Sequence, residues 1–142
     1  MSITPDRLHV AIEDRKIYEK IRDFDEIFKK KNNKEIFIFA MAYGFKNQAR
    51  VPFNKKEGFF LEKDLKPYDI SMLNAVALYE TNSVDALLDK GEIYRISEEY
   101  AHAGIRLLVD QIDNLEFVSF WKKFEKELLG KYESIELTNG TS

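Results

Sequence analysis

A chain of 142 residues that is 44% hydrophobic and 13% aromatic holds enough apolar material for one buried core, so a single domain over residues 1–142 is the expectation. It contains no cysteine, which excludes disulfides and thiolate metal sites; it has no run long enough to span a bilayer and no apolar signal core in residues 1–20, so a cytoplasmic protein without membrane contact is expected. The net charge of −3 conceals a division: residues 1–66 carry 15 Lys+Arg against 11 Asp+Glu and residues 67–142 carry 7 against 14, so only the N-terminal half is suited to face a polyanion.

After a loose leader, Arg7-Leu-His-Val-Ala-Ile12 alternates, with Leu8, Val10 and Ile12 on one side and Arg7, His9 and Ala11 on the other, the period of a half-buried strand. Glu13 or Asp14 can cap the following helix, whose apolar stripe is Ile17, Ile21, Phe24, Ile27 and Phe28. The charged turn at residues 29–33 leads into the most apolar stretch of the chain, residues 33–46. Asn32 with Glu35 three residues on predicts an N-cap and capping box there, and Gly44 is placed to end the helix at positive φ. This helix is apolar nearly all round, as expected of the centre of a domain or of half a dimer seam.

Strand, helix, polar turn and apolar helix within about 40 residues is the order of a ribbon-helix-helix unit, here residues 6–46. In that architecture two chains pair their strands into a ribbon that enters the major groove, and the second helix points its N-terminus at a phosphate. A homodimer on double-stranded DNA follows, with Arg7 and His9 facing the bases and Asn33 and Lys34 near the backbone. The other reading of the alternation is a strand paired within the chain to a short β element around residues 50–53, leaving Arg7 and His9 as surface residues.

Residues 46–58 form a basic loop in which Lys46, Arg50, Lys55 and Lys56 are the candidate phosphate contacts, with a solvated loop as the alternative. Pro52 keeps this loop out of a central strand, and Phe59, Phe60 and Leu61 are expected to fold back onto the core. The C-terminal half, residues 67–130, reads as helical. One helix follows Pro67 to Thr81, a short one capped by Asn82-Ser83 runs from Val84 to Lys90 and closes at Gly91, and a long one runs from Glu92 to Ile112. Ala101, Ala103 and Gly104 would let a neighbour approach the long helix closely. A last helix from residue 113 or 114 to Leu129 carries Phe117, Phe120, Trp121 and Phe124, and residues 133–142 form a flexible tail. The fold class is thus mainly α: a strand-helix-helix unit, then a helical half, with one short β element.

Catalytic signatures are missing: there is no phosphate-cradling glycine loop, no Gly-x-Ser-x-Gly and no His-Glu-x-x-His. Glu99 and His102 sit three apart, half of a carboxylate-bridged di-iron motif, but the second His, His9, has no Glu three before it, so one chain cannot complete the site. The expectation is therefore no catalytic residue, no metal and no cofactor, with His102 partly buried and Glu98 and Glu99 in solvent.

The phrases Glu35-Ile-Phe-Ile-Phe-Ala-Met-Ala-Tyr-Gly-Phe-Lys-Asn-Gln-Ala-Arg-Val-Pro-Phe53, Ala75-Val-Ala-Leu-Tyr-Glu-Thr81, Leu87-Leu-Asp-Lys-Gly-Glu-Ile93 and Ser97-Glu-Glu-Tyr-Ala-His-Ala-Gly-Ile-Arg-Leu-Leu108 carry a resemblance. Over residues 8–112 the chain resembles the small accessory proteins of DNA phosphorothioation (sulfur-modification) defence clusters. The resemblance implies a role beside DNA modification or restriction, either contacting DNA or joining larger subunits of a complex. It brings no catalytic residues with it. The alternative within that role is a protein–protein adaptor that never touches nucleic acid.

Overall fold

The computed structural model describes residues 5–24 and 26–113. The chain divides into two compact units, Met1–Val109 and Asp110–Ser142. The fold described here is that of the first unit. The expected last helix and the tail at 133–142 lie outside the described residues. In order, the elements are β1 (Arg7–Ala11), a 3-10 turn (Ile12–Asp14), α1 (Arg15–Phe24), α2 (Glu26–Lys29), α3 (Asn33–Lys46), β2 (Lys56–Leu61), a 3-10 turn (Glu62–Asp64), α4 (Pro67–Thr81), a 3-10 turn (Val84–Leu88) and α5 (Lys90–Asp113). The described part is mainly helical with one two-stranded antiparallel sheet. No helix among the described residues is long and apolar enough to cross a membrane.

The strand pairing is made within the chain. β1 runs antiparallel to β2, with Arg7 opposite Leu61 and Ala11 opposite Lys56. The β partner therefore lies at residues 56–61 and not at 50–53. The 50–53 segment is held elsewhere, with the Val51 N–H donating to the Glu99 carbonyl of α5, while the Ile12 N–H donates to the Lys55 carbonyl and extends the β1–β2 ladder by one residue. The expected alternation holds for exposed Arg7 and buried Leu8 and Val10, then fails, because the chain tightens into a 3-10 turn that buries Ala11 and leaves Ile12 about half exposed. On β2 the register slips opposite Leu8 and His9. The extra residue lets consecutive Phe59 and Phe60 both turn inward, Phe59 onto Tyr18 and Phe60 edge-on to Phe37. The other edge of β1 is occupied too, since the His9 N–H donates to Glu98 Oε2 at 2.7 Å. β1 thus has a partner on each side in its own chain, a different arrangement from the interchain ribbon of the sequence reading.

α3 begins as its sequence dictates. Asn32 accepts from the Glu35 N–H at 2.9 Å and Glu35 accepts from the Asn32 N–H at 3.2 Å, closing the capping box. Its end differs. Gly44 lies inside the helix, which runs on to Lys46, and Gln48 takes the left-handed conformation at φ 53°. Its N–H returns to the Phe45 carbonyl and that of Ala49 to Gly44, a Schellman ending. Gly44 is there for proximity: a Cβ at this position would lie 2.2 Å from the carbonyl oxygen of Tyr100, and one at Gly104 would lie 1.8 Å from that of Ala40. The small residues expected to admit a neighbour on the long helix do so, and the neighbour is α3.

α5, not α3, is the enclosed rod. Every residue from Ile96 to Ile105 is buried, whereas α3 hides Ile36, Phe37, Ala40, Met41 and Gly44 on one face and leaves Phe39 about half exposed on the other. α4 starts at Pro67, as the sequence indicates, and ends at left-handed Asn82. The next segment is a single 3-10 stretch that stops at Leu88, and Gly91 belongs to the first turn of α5 rather than closing the helix before it.

Candidate nucleic-acid interface

The start of α3, the end of β2 and the start of α4 surround an open cleft of about 860 Å³. Its charged lining is Arg22 of α1, Lys31, Lys34, Glu35, Asp64 and Lys66, and its floor is Phe59, Phe60 and Leu61. Each cation is placed by a local rule. Lys31 precedes the Asn32 cap, Lys66 is the residue from which Pro67 starts α4, and Lys34 occupies the first turn of α3. Arg22 donates to the side-chain oxygen of Asn33, whose amide in turn donates to the Phe59 carbonyl at 3.3 Å, so α1, α3 and β2 meet at this wall. The Arg22 Nε is buried without a hydrogen-bond partner.

The cations are not equally available. Lys34 is buried and its Nζ lies 2.8 Å from Asp69, which also accepts the Lys66 N–H at 2.9 Å. Burial opposes ionisation of Asp69, but the hydrogen bonds from Lys34 and the Lys66 backbone outweigh it and hold its pKa below the usual carboxylate value. A lowered folded-state pKa contributes stability above the unfolded value, and that contribution is lost as pH falls through the folded value. Melting temperatures taken from about pH 6 down to about pH 2 should therefore fall for the native chain. In Lys34→Met the melting temperature should be lower at neutral pH, and the gap to the native chain should narrow with acid as the stranded Asp69 protonates.

Of the eight residues selected from the sequence as nucleic-acid contacts, the fold brings Asn33 and Lys34 to this cleft. The others are scattered. Arg7 is exposed and pairs with neighbouring Asp6 at 2.9 Å. His9 is a quarter exposed and its Nδ1 lies 3.1 Å from Glu98 Oε2. Lys46 at the end of α3 and Lys55 and Lys56 at the start of β2 are exposed. Arg50 is engaged between two carboxylates, 2.7 Å from Glu80 and 2.7 Å from Glu99. The sequence reading missed Arg22, Lys31 and Lys66; the available signal was that Lys31 and Lys66 adjoin helix starts, where cations flank exposed N–H groups.

The carboxylates of α5 also depart from expectation. Glu98 and Glu99 are buried, not solvated. Glu99 faces Arg50 and Arg95, while His102 Nδ1 lies 2.5 Å from fully buried Asp14, which Arg106 also contacts. The two halves of the Glu99–His102 spacing therefore serve different partners. Burial pushes the Glu98 carboxyl up, against the hydrogen bond from the His9 backbone. Among the described residues no group of three or more His, Cys, Asp or Glu side chains is gathered to hold a metal ion.

A model of one protein family matches residues 7–121, that of the DNA sulphur modification system-associated protein 4. No curated protein and no solved structure matches. With the match covering most of its length, this chain belongs to the family of DNA sulphur modification system-associated protein 4, accessory proteins of DNA sulphur modification systems.

Proposed function

We propose that this chain is a non-catalytic accessory protein that meets the DNA backbone through the cleft at the start of α3. The observation that carries the reading is the convergence of Arg22, Lys31, Lys34 and Lys66 with the first turn of α3 on one open concavity. Helix N-terminal N–H groups favour anions, and lysine and arginine around them hold phosphate without reading bases. Lys34 serves mainly to fix Asp69 and α4, and Arg22 is turned to Asn33, so Lys66 and Lys31, the latter on giving up its exposed 3.6 Å pairing with Glu35, are the side chains that would reach phosphate. The non-catalytic part of the reading rests on the sequence, which carries no phosphate-cradling glycine loop, no Gly-x-Ser-x-Gly and no His-Glu-x-x-His.

The test is a titration of double-stranded DNA at several salt concentrations. Binding should weaken steeply as salt rises, and Lys31→Ala/Lys66→Ala should flatten the dependence of log K on log salt by roughly two, about 0.9 for each phosphate contact removed. Equal slopes for the variant and the native chain would refute the cleft as the contact. The second reading, an adaptor for another subunit, is favoured by a different surface, described next.

A further inference from the structure

α4 is apolar on both faces, yet only one of them is buried; on the other, Tyr79 meets the Phe45 ring of α3 edge-on at 5.0 Å and still stays mostly exposed. Leu73, Val76 and Ala77 point into the core, while Tyr68, Ala75 and Tyr79 follow one another at seven and four residues along the opposite side. A helix that is hydrophobic all round is normally covered all round. Here Tyr68 is 74% and Tyr79 69% exposed, and the 3-10 turn that follows adds Val84 at 71% and Leu88 at 86%.

The segment that carries this surface has charges of one sign, bounded by Lys66 at one end and by Lys90, which pairs with Glu62, at the other. Residues 67–89 contain four carboxylates and no lysine or arginine. Asp69 is neutralised by Lys34 and Glu80 by Arg50, both reaching over from the N-terminal half. Asp85 and Asp89 remain exposed beside Val84 and Leu88, with one Asp89 oxygen accepting the Glu92 N–H. Nucleic acid is repelled by such a surface. A two-fold pairing of this face with itself would set Asp85 and Asp89 against their own copies without a cation from the segment between them.

We infer that the α4 face from Tyr68 to Tyr79, continued by Val84 and Leu88, is the docking surface for a different protein that presents apolar side chains rimmed with lysine or arginine. Aromatic anchors surrounded by complementary charge are the usual centre of such contacts. The inference rests on membership of the modification system, not on the DNA contact, and the two fail separately: the cleft is read by DNA titration, this face by protein assembly.

The experiment co-expresses the full chain with each protein component of the DNA sulphur modification system in turn and measures the mass of the assembly by light scattering after size exclusion. One component is expected to assemble with the native chain. Val84→Ser/Leu88→Ser should weaken that complex at least tenfold, and Asp85→Lys should do so most at low salt, with Lys31→Ala/Lys66→Ala leaving it intact. Failure of every component to assemble, or a complex indifferent to Val84→Ser/Leu88→Ser, would overturn the inference. So would a native homodimer that the same substitutions split, which would make the face self-pairing. A lowered melting temperature of Val84→Ser/Leu88→Ser in isolation would overturn it as well, since the same chain would then be covering the face.

Discussion

Gly104→Ala is expected to destabilise the protein by about 3 kcal/mol or more, the upper range for overpacking a close contact. Helix propensity alone predicts the opposite, since alanine is favoured over glycine inside a helix by about 1 kcal/mol. The steric term should win because the new Cβ would stand 1.8 Å from the Ala40 carbonyl oxygen and 2.8 Å from the Gly44 nitrogen. These are backbone atoms of α3, so no side-chain rotation can make room; α3 and α5 must separate. Gly91→Ala supplies the control. It lies exposed in the first turn of α5, where a Cβ would come no closer than 3.4 Å to an Asp89 side-chain oxygen, and it should stabilise by up to about 1 kcal/mol. Urea denaturation of the two variants against the native chain should therefore give shifts of opposite sign. Two stabilising shifts would mean that α3 and α5 do not cross at Gly44 and Gly104.

Arg50→Ala should cost about 2 kcal/mol of stability, less than the range for a fully buried ion pair because Arg50 and Glu80 are each about a quarter exposed. The loss comes mainly from what is left behind. Glu99, with a side chain 9% exposed, would keep only the longer 3.5 Å contact to Arg95, and Glu80 would retain only the Tyr100 hydroxyl. The hydrogen bonds from Tyr100 and then Arg50 hold the Glu80 pKa below its usual value, while burial and Glu80 push the Tyr100 hydroxyl up to about 12. Arg50→Lys should recover only part of the loss, since one ammonium on a flexible stem does not reproduce the guanidinium fork between two carboxylates. Glu80→Gln placed on top of Arg50→Ala should restore stability, because it removes one stranded charge and keeps an acceptor for Tyr100. If Arg50 served as a free phosphate ligand instead, Arg50→Ala would lower DNA affinity and leave the urea midpoint where it was. Measuring both quantities on one preparation separates the two roles.

The glycine and the arginine also show where a sequence stops informing. Glycine at position 44 signals either a positive φ or a close approach, and the choice depends on whether another backbone arrives beside it. Here Tyr100 and Gly104, about sixty residues further on, decide the matter. An arginine in a basic loop reads as available to a polyanion until its partners are known. The partners of Arg50 are 30 and 49 residues away, on α4 and α5, and local spacing carries no trace of them.

What the sequence determined by itself is what neighbours within a turn or two can enforce. The Asn32–Glu35 cap, the start of α4 at Pro67, the extent of the long helix and the β period at Leu8 and Val10 all follow from contacts between residues a few positions apart, and the family likeness lies in the same local phrases. The tertiary structure decided which helix is central and which charges remain free. α5 carries Ser97, Glu98, Glu99 and His102 and so looks half solvated in sequence, yet it is buried from Ile96 to Ile105. Burial of those groups is tolerable only because His9, Asp14 and Arg50, each 49 to 89 positions distant, meet three of them, while Ser97 turns back to the Ile93 carbonyl. Desolvation of a charge is offset by a partner wherever the chain brings one, and only the folded chain shows where that is.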